Sequence, residues 1–199
     1  PLALEGVNKD TIDGSIYIRS KNEFGVSDYV IEVIDESGES ASLTITIVVG
    51  ETLDEEYSMV LVSNADGEEF GGLDLYLGDS VSVNSASANI VDLGVDINKV
   101  PALNWIQKIK AVNGAVLRVP DTNQPELFNF DNITTKQALK GAYDSGVTVS
   151  ESDVVQEGDL FLVNNDDDYF LLLTTSVVVT EDNNDDYYEF SIKQALDVQ

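Results

Sequence analysis

Apolar positions in this chain recur mostly at every second residue, the spacing of strands with one face turned inward. In "SIYIRS", Ile16 and Ile18 share one face, and Tyr17 and Arg19 the other. "DYVIEVIDESGESASLTITIVV" alternates on both sides of a turn and predicts a hairpin with arms 29–34 and 41–49. Leu43, Ile45 and Ile47 fall on one face of its second arm, Thr44 and Thr46 on the other. The turn is Asp35-Glu36-Ser37-Gly38, where Gly38 supplies the positive φ such a turn often needs.

The stretch "GETLDEE" is acidic and short of apolar residues, so 51–56 reads as a linker between a first block, 1–50, and a second, 57–199. The second block opens with a strand over 57–62. "NADG" then reads as a hairpin turn, "LDLYL" alternates again, and "SVSVNSASANIVDLGVD" suits a strand, a loop and another strand. One helix is expected, over 135–144. Thr134 and Gln137 have capping-box spacing, Ile133 and Ala138 could staple it, and Gly146 would close it. Ala138, Leu139, Ala142 and Tyr143 form its apolar stripe. "LNWIQKIKAVN" fits a helix and a strand equally well. After the helix, "GDLFLVNN", "DYFLLLTTSVVVT" and "DYYEFSIKQ" predict a three-stranded meander with its Asn/Asp clusters as loops. No fixed-period repeat is present, which argues against a solenoid or a propeller.

Composition narrows the chemistry. The apolar fraction of 43% is enough for real cores. With no Cys and no His, thiol nucleophiles, disulfides, Ser-His-Asp triads and the usual zinc or copper sites are excluded. The net charge of −27 is uneven: 51–100 holds 1 basic and 11 acidic residues, 151–199 holds 1 and 13, yet 101–150 holds 5 and 4. Such a surface repels phosphate backbones and anionic headgroups, so neither nucleic acid nor a membrane is an expected partner. No apolar run reaches spanning length. The chain opens on Pro1 without a charged or apolar leader, as expected of a fragment or a mature chain.

The candidate cofactor is Ca²⁺; the competing expectation is none. Asp166, Asp167 and Asp168 in one cluster and Asp182, Asp185 and Asp186 in the next offer hard oxygen ligands. Consecutive turns of a meander lie at opposite ends, so the clusters share a site only if the strand breaks near 174–176. "SNADG" lacks the first ligand of a calcium loop, because Val62 stands there. For a glycan, the candidate stacking residues are Trp105, Tyr187 and Tyr188, although a lone Trp beside Ile106 and Ile109 also reads as core. Paired carboxylates could hydrolyse a glycosidic bond, but with 37 acidic residues pairs arise by chance.

Residues 24–49 resemble the last strands of a bacterial immunoglobulin-like domain, in "YVIEVIDESGESASLTITIVV". They amount to about half of a typical ~100-residue domain of that kind. Residues 57–194 resemble modules of uncharacterised exported Bacteroidetes lipoproteins, in "GGLDLYLGDSVSVNSASANIVDLGVD", "FNFDNITTKQALKGAYDSG" and "GDLFLVNNDDDYFLLLTTSVVV". The resemblance implies placement at the cell surface, anchored to the outer membrane or in the periplasm, and offers no catalytic residues to transfer.

The expected fold is therefore mainly β: an Ig-like β-sandwich fragment, then a second antiparallel β-sandwich-like domain with one short helix. The expected function is a non-catalytic binding or spacer module, with a glycan or another surface protein as partner. The alternatives are a calcium-stabilised adhesion module and a carboxylate-based glycoside hydrolase.

Overall fold

The structure is a computed structural model that describes residues 25–34, 37–67, 69–181 and 185–198. The expected strand in 15–20, the turn residues Asp35 and Glu36, and Asp182 lie outside the described residues. The chain is mainly β, with several antiparallel sheets and, among the described residues, one helix longer than two turns. It divides into two compact units, Pro1–Val49 and Gly50–Gln199.

In the first unit, β1 (Gly25–Ile34) pairs antiparallel with β2 (Ser40–Val49), Tyr29 opposite Ile45 and Ile31 opposite Leu43. The expected alternation is present: Tyr29, Ile31 and Val33 share a face with Leu43, Ile45 and Ile47. Gly38 takes φ +86, the conformation that its place in the turn requires.

The second unit holds β3 (Glu56–Ser63), β4 (Gly72–Asp74), β5 (Asp79–Val81), β6 (Ile90–Asp92), α1 (Pro101–Asn104) and β7 (Ile109–Ala111). Then follow β8 (Val116–Val119), α2 (Lys136–Ser145), β9 (Val147–Thr148), β10 (Leu160–Asn165), β11 (Asp168–Val178) and β12 (Tyr187–Ala195). They form a six-stranded sheet, β3-β12-β11-β10-β8-β9, and a four-stranded sheet, β5-β4-β6-β7. The main core lies between these sheets and includes Val62, Leu73, Ile90, Ile109, Phe170 and Phe190. A second core, with Leu139, Tyr143, Leu162 and Leu171, packs α2 on the other face of the large sheet. This explains the unbroken apolar run in "DYFLLLT". Phe170 and Leu172 enter one core, Tyr169 and Leu171 the other, so β11 is buried on both faces.

The meander β10–β11–β12 has the expected order, and near 174–176, where a break would have let the two Asp clusters meet, β11 carries a β-bulge and runs on unbroken. Three expectations shift. The helix is capped by Thr135, whose Oγ1 accepts from Ala138 N–H, and not by Thr134. Gln137 instead binds Glu51, through its backbone N–H and its carboxylate. Gly146 ends the helix in extended backbone (φ −75), and its value is space: a Cβ there would lie 3.1 Å from the Val119 carbonyl. Residues 51–56 are bound into the second unit: Leu53 packs in the second core, Thr52 bridges to Thr135, and Asp54 pairs with Lys136 at 2.9 Å. The "NADG" turn carries the chain from β3 in one sheet to β4 in the other, so it is not a hairpin turn. The ambiguous "LNWIQKIKAVN" becomes the end of α1 followed by β7.

Candidate functional site

Between β6 and β7 the chain leaves the small sheet as an arm, 93–108. Its two limbs are laced by Leu93 N–H to Lys108 O (2.9 Å), Ile106 N–H to Gly94 O (2.9 Å) and Asp96 N–H to Asn104 O (2.7 Å), with Val95 opposite Trp105. The arm is braced at its root by one carboxylate. Asp92 Oδ1 accepts from Ala65 N–H (2.9 Å) and Gly94 N–H (2.7 Å). Its Oδ2 accepts from Trp105 Nε1–H (3.0 Å) and Tyr188 O–H (2.9 Å). Trp105 and Tyr188 stack with ring centroids 4.6 Å apart. Burial pushes the Asp92 carboxyl above its ordinary range, and the four donors oppose that shift. Burial, then the adjacent Asp92 charge, raise the Tyr188 hydroxyl far above its usual value.

The return limb is tied down at Gln107, which has φ 57; its Nε2 donates to Val155 O at 2.7 Å, and Val155 N–H donates back to Gln107 O. At the tip, Asp96 Oδ1 accepts from the Asn98 backbone and side-chain N–H groups, which holds its carboxyl below the usual range. Pro101 then starts the single turn of α1, where a missing N–H costs nothing. The tip is apolar and bare: Ile97 is 88% exposed, Leu103 72% and Val100 61%. A groove of about 560 Å³, lined by Trp105, Ile106 and Val154, borders Val95 and Ile97. Another, of about 520 Å³ and lined by Asp66, Val83 and Lys110, borders the same two residues.

The residues singled out from the sequence fall elsewhere or in the core. Trp105 and Tyr188 are buried, 9% and 0% exposed, so neither ring face is open to a sugar; Tyr187 is half-buried. Asp166 and Asp167 form the exposed two-residue turn between β10 and β11, with Asp166 at φ 55. The carboxylate of Asp168 accepts from Tyr76 O–H (2.8 Å) and Asp197 N–H (2.8 Å). Asp185 is exposed, whereas Asp186 is buried and accepts from Asn64 Nδ2–H, Thr180 N–H and Thr180 O–H, which closes its own loop. The two clusters lie at opposite ends of β11, roughly 35 Å apart for an 11-residue strand. Among the described residues, no three acidic side chains converge as a metal site would require.

The arm itself escaped the sequence reading. Ile97, Val100 and Leu103 look like core residues by type, and only Leu103 falls within the turn of α1 that Pro101 starts. Comparison of the chain with protein-family models, curated proteins and solved structures returns no match.

Proposed function

We propose that the second unit is a non-catalytic binding module that holds a protein partner through the 93–108 arm. The observation that carries this reading is the bare apolar tip, Ile97, Val100 and Leu103, on an arm whose root is braced by Asp92. Exposed aliphatic groups clustered on a rigid support are what a contact surface needs. A glycan has less support, because Trp105 and Tyr188 turn their rings into the core. A carboxylate hydrolase has less support too, since both oxygens of the buried Asp92 already accept two donors each. The exported, surface-held setting belongs to this proposal and rests on the resemblance of 57–194 to Bacteroidetes lipoproteins.

Panning a random peptide display library against the wild-type protein and the Ile97→Asp/Leu103→Asp double variant tests this. Clones enriched on the wild type and lost on the variant support the reading. No enrichment, or equal enrichment on both, sinks it.

A further inference from the structure

The laced limbs of the arm leave one edge unpaired. The Asp96 N–H and Ile106 N–H bonds flank the Val95–Trp105 pair, so the N–H and C=O of Val95 point away from the return limb. Among the described residues neither group has a hydrogen-bond partner. The neighbouring line is that of β4, which reaches β6 through Asp92 N–H to Gly71 O at 2.8 Å. Continued straight, it would lie beside 93–95. Instead Phe70 takes φ 60, and its carbonyl turns to Ser63 N–H at 2.9 Å. A bulky residue in that conformation costs about 1 kcal/mol or more. The chain thus turns aside, under strain, from a strand position that ends in open backbone groups.

We infer that this position takes an extended segment of another protein, which adds as a strand beside Val95. The inference rests on the binding-module reading above and names the partner's form. In such strand addition the backbone bonds supply affinity, and side chains alternate into sites on the two sides. Grooves of the required kind are present, since Val95 and Ile97 border both. One is lined by the apolar Trp105, Ile106 and Val154 together with the polar Asp96, Lys99 and Gln107. The exposed charges along the grooves nearly balance, Asp66 and Asp96 against Lys99 and Lys110. The long-range field is therefore set by the rest of a chain of net charge −27, and it favours a basic segment.

The probe is the blocked peptide acetyl-Lys-Val-Lys-Val-Lys-Val-Lys-amide, followed through the emission of Trp105, the single Trp of the chain, and through the Val95 and Ile97 amide resonances. Saturable binding is expected. The same peptide N-methylated at its central residues should bind about tenfold more weakly, the equivalent of one lost hydrogen bond. The Glu-for-Lys peptide should bind more weakly still. Val95→Pro, which removes the outward N–H, should weaken the parent peptide about tenfold as well. The N-methylated peptide keeps the test decisive on wild-type protein if that variant fails to fold. No saturable change, equal affinity for the N-methylated peptide, or a preference for the Glu peptide overturns strand addition. None of these results touches the binding-module reading, which stands or falls on whether the display clones depend on Ile97 and Leu103.

Discussion

Replacing Asp92 with Ala leaves four donors without an acceptor: the N–H groups of Ala65 and Gly94, the Trp105 indole and the Tyr188 hydroxyl. An unsatisfied buried donor costs about 1–3 kcal/mol, and water entering the gap recovers part of that. A net loss of about 3–5 kcal/mol is expected, with Trp105 emission moving to the red as its indole meets water. Denaturant unfolding with fluorescence detection measures both; a loss below about 1 kcal/mol would show that Asp92 is not the brace of the arm. Tyr188 carries a prediction about pH. Its folded pKa is raised above the ordinary 10.0, first by burial and then by Asp92. The unfolded chain therefore gives up that proton first. The stability it contributes is complete below about pH 10 and is lost as pH rises beyond it. Tyr76 and Tyr143 are raised too, and add to the same decline. Stability followed from pH 8 to 11 should fall in the wild type and fall less steeply in Tyr188→Phe. Parallel curves would remove Tyr188 from the account.

At the level of elements, Thr135→Ala tests where α2 begins. Thr135 Oγ1 accepts the Ala138 N–H at 3.2 Å, so its loss should cost about 1 kcal/mol, while Thr134→Ala should cost a few tenths. Thermal melts of the two variants rank them, and the reverse order would return the cap to Thr134. The one-residue error in reading this cap has a physical source. Thr134-Thr135 offers two hydroxyls in a row, and Gln137 has capping-box spacing only from the first. The structure spends Gln137 on Glu51, a partner 86 residues away in sequence that local pattern cannot supply. The same distinction separates the rest of the fold. The meander was legible because β10 and β11 hold apolar runs, β12 alternates, and Asn/Asp clusters separate the three, which is local information. The arm was not, because its limbs are held by single bonds between short segments and by Asp92, whose donors come from three separate stretches of chain. The burial of Trp105 was half legible: its type and neighbours suggested core, but nothing local pointed to Tyr188 as its partner.

At the scale of the whole molecule, 37 acidic residues face 10 basic ones, and the compact state holds these charges together against their repulsion. Added salt should raise the melting temperature by screening, since the Debye length falls from roughly 30 Å at 0.01 M to 10 Å at 0.1 M. The question is whether calcium does more than screen. At Asp168 a cation would compete with the donors Tyr76 O–H and Asp197 N–H for the carboxylate, and at Asp186 with those from Asn64 and Thr180. Both sets of bonds hold separate stretches of chain together, so a metal that drew the carboxylates away from these donors would loosen the fold. Calcium and magnesium at matched ionic strength, after chelation, should therefore shift the melt equally and only at concentrations where screening operates. A rise at micromolar Ca²⁺ without a matching response to Mg²⁺ would mean that one Asn/Asp cluster exchanges its internal donors for a metal. In that event Asp168→Asn and Asp186→Asn tell the clusters apart, because the calcium response should vanish only in the variant that loses a ligand.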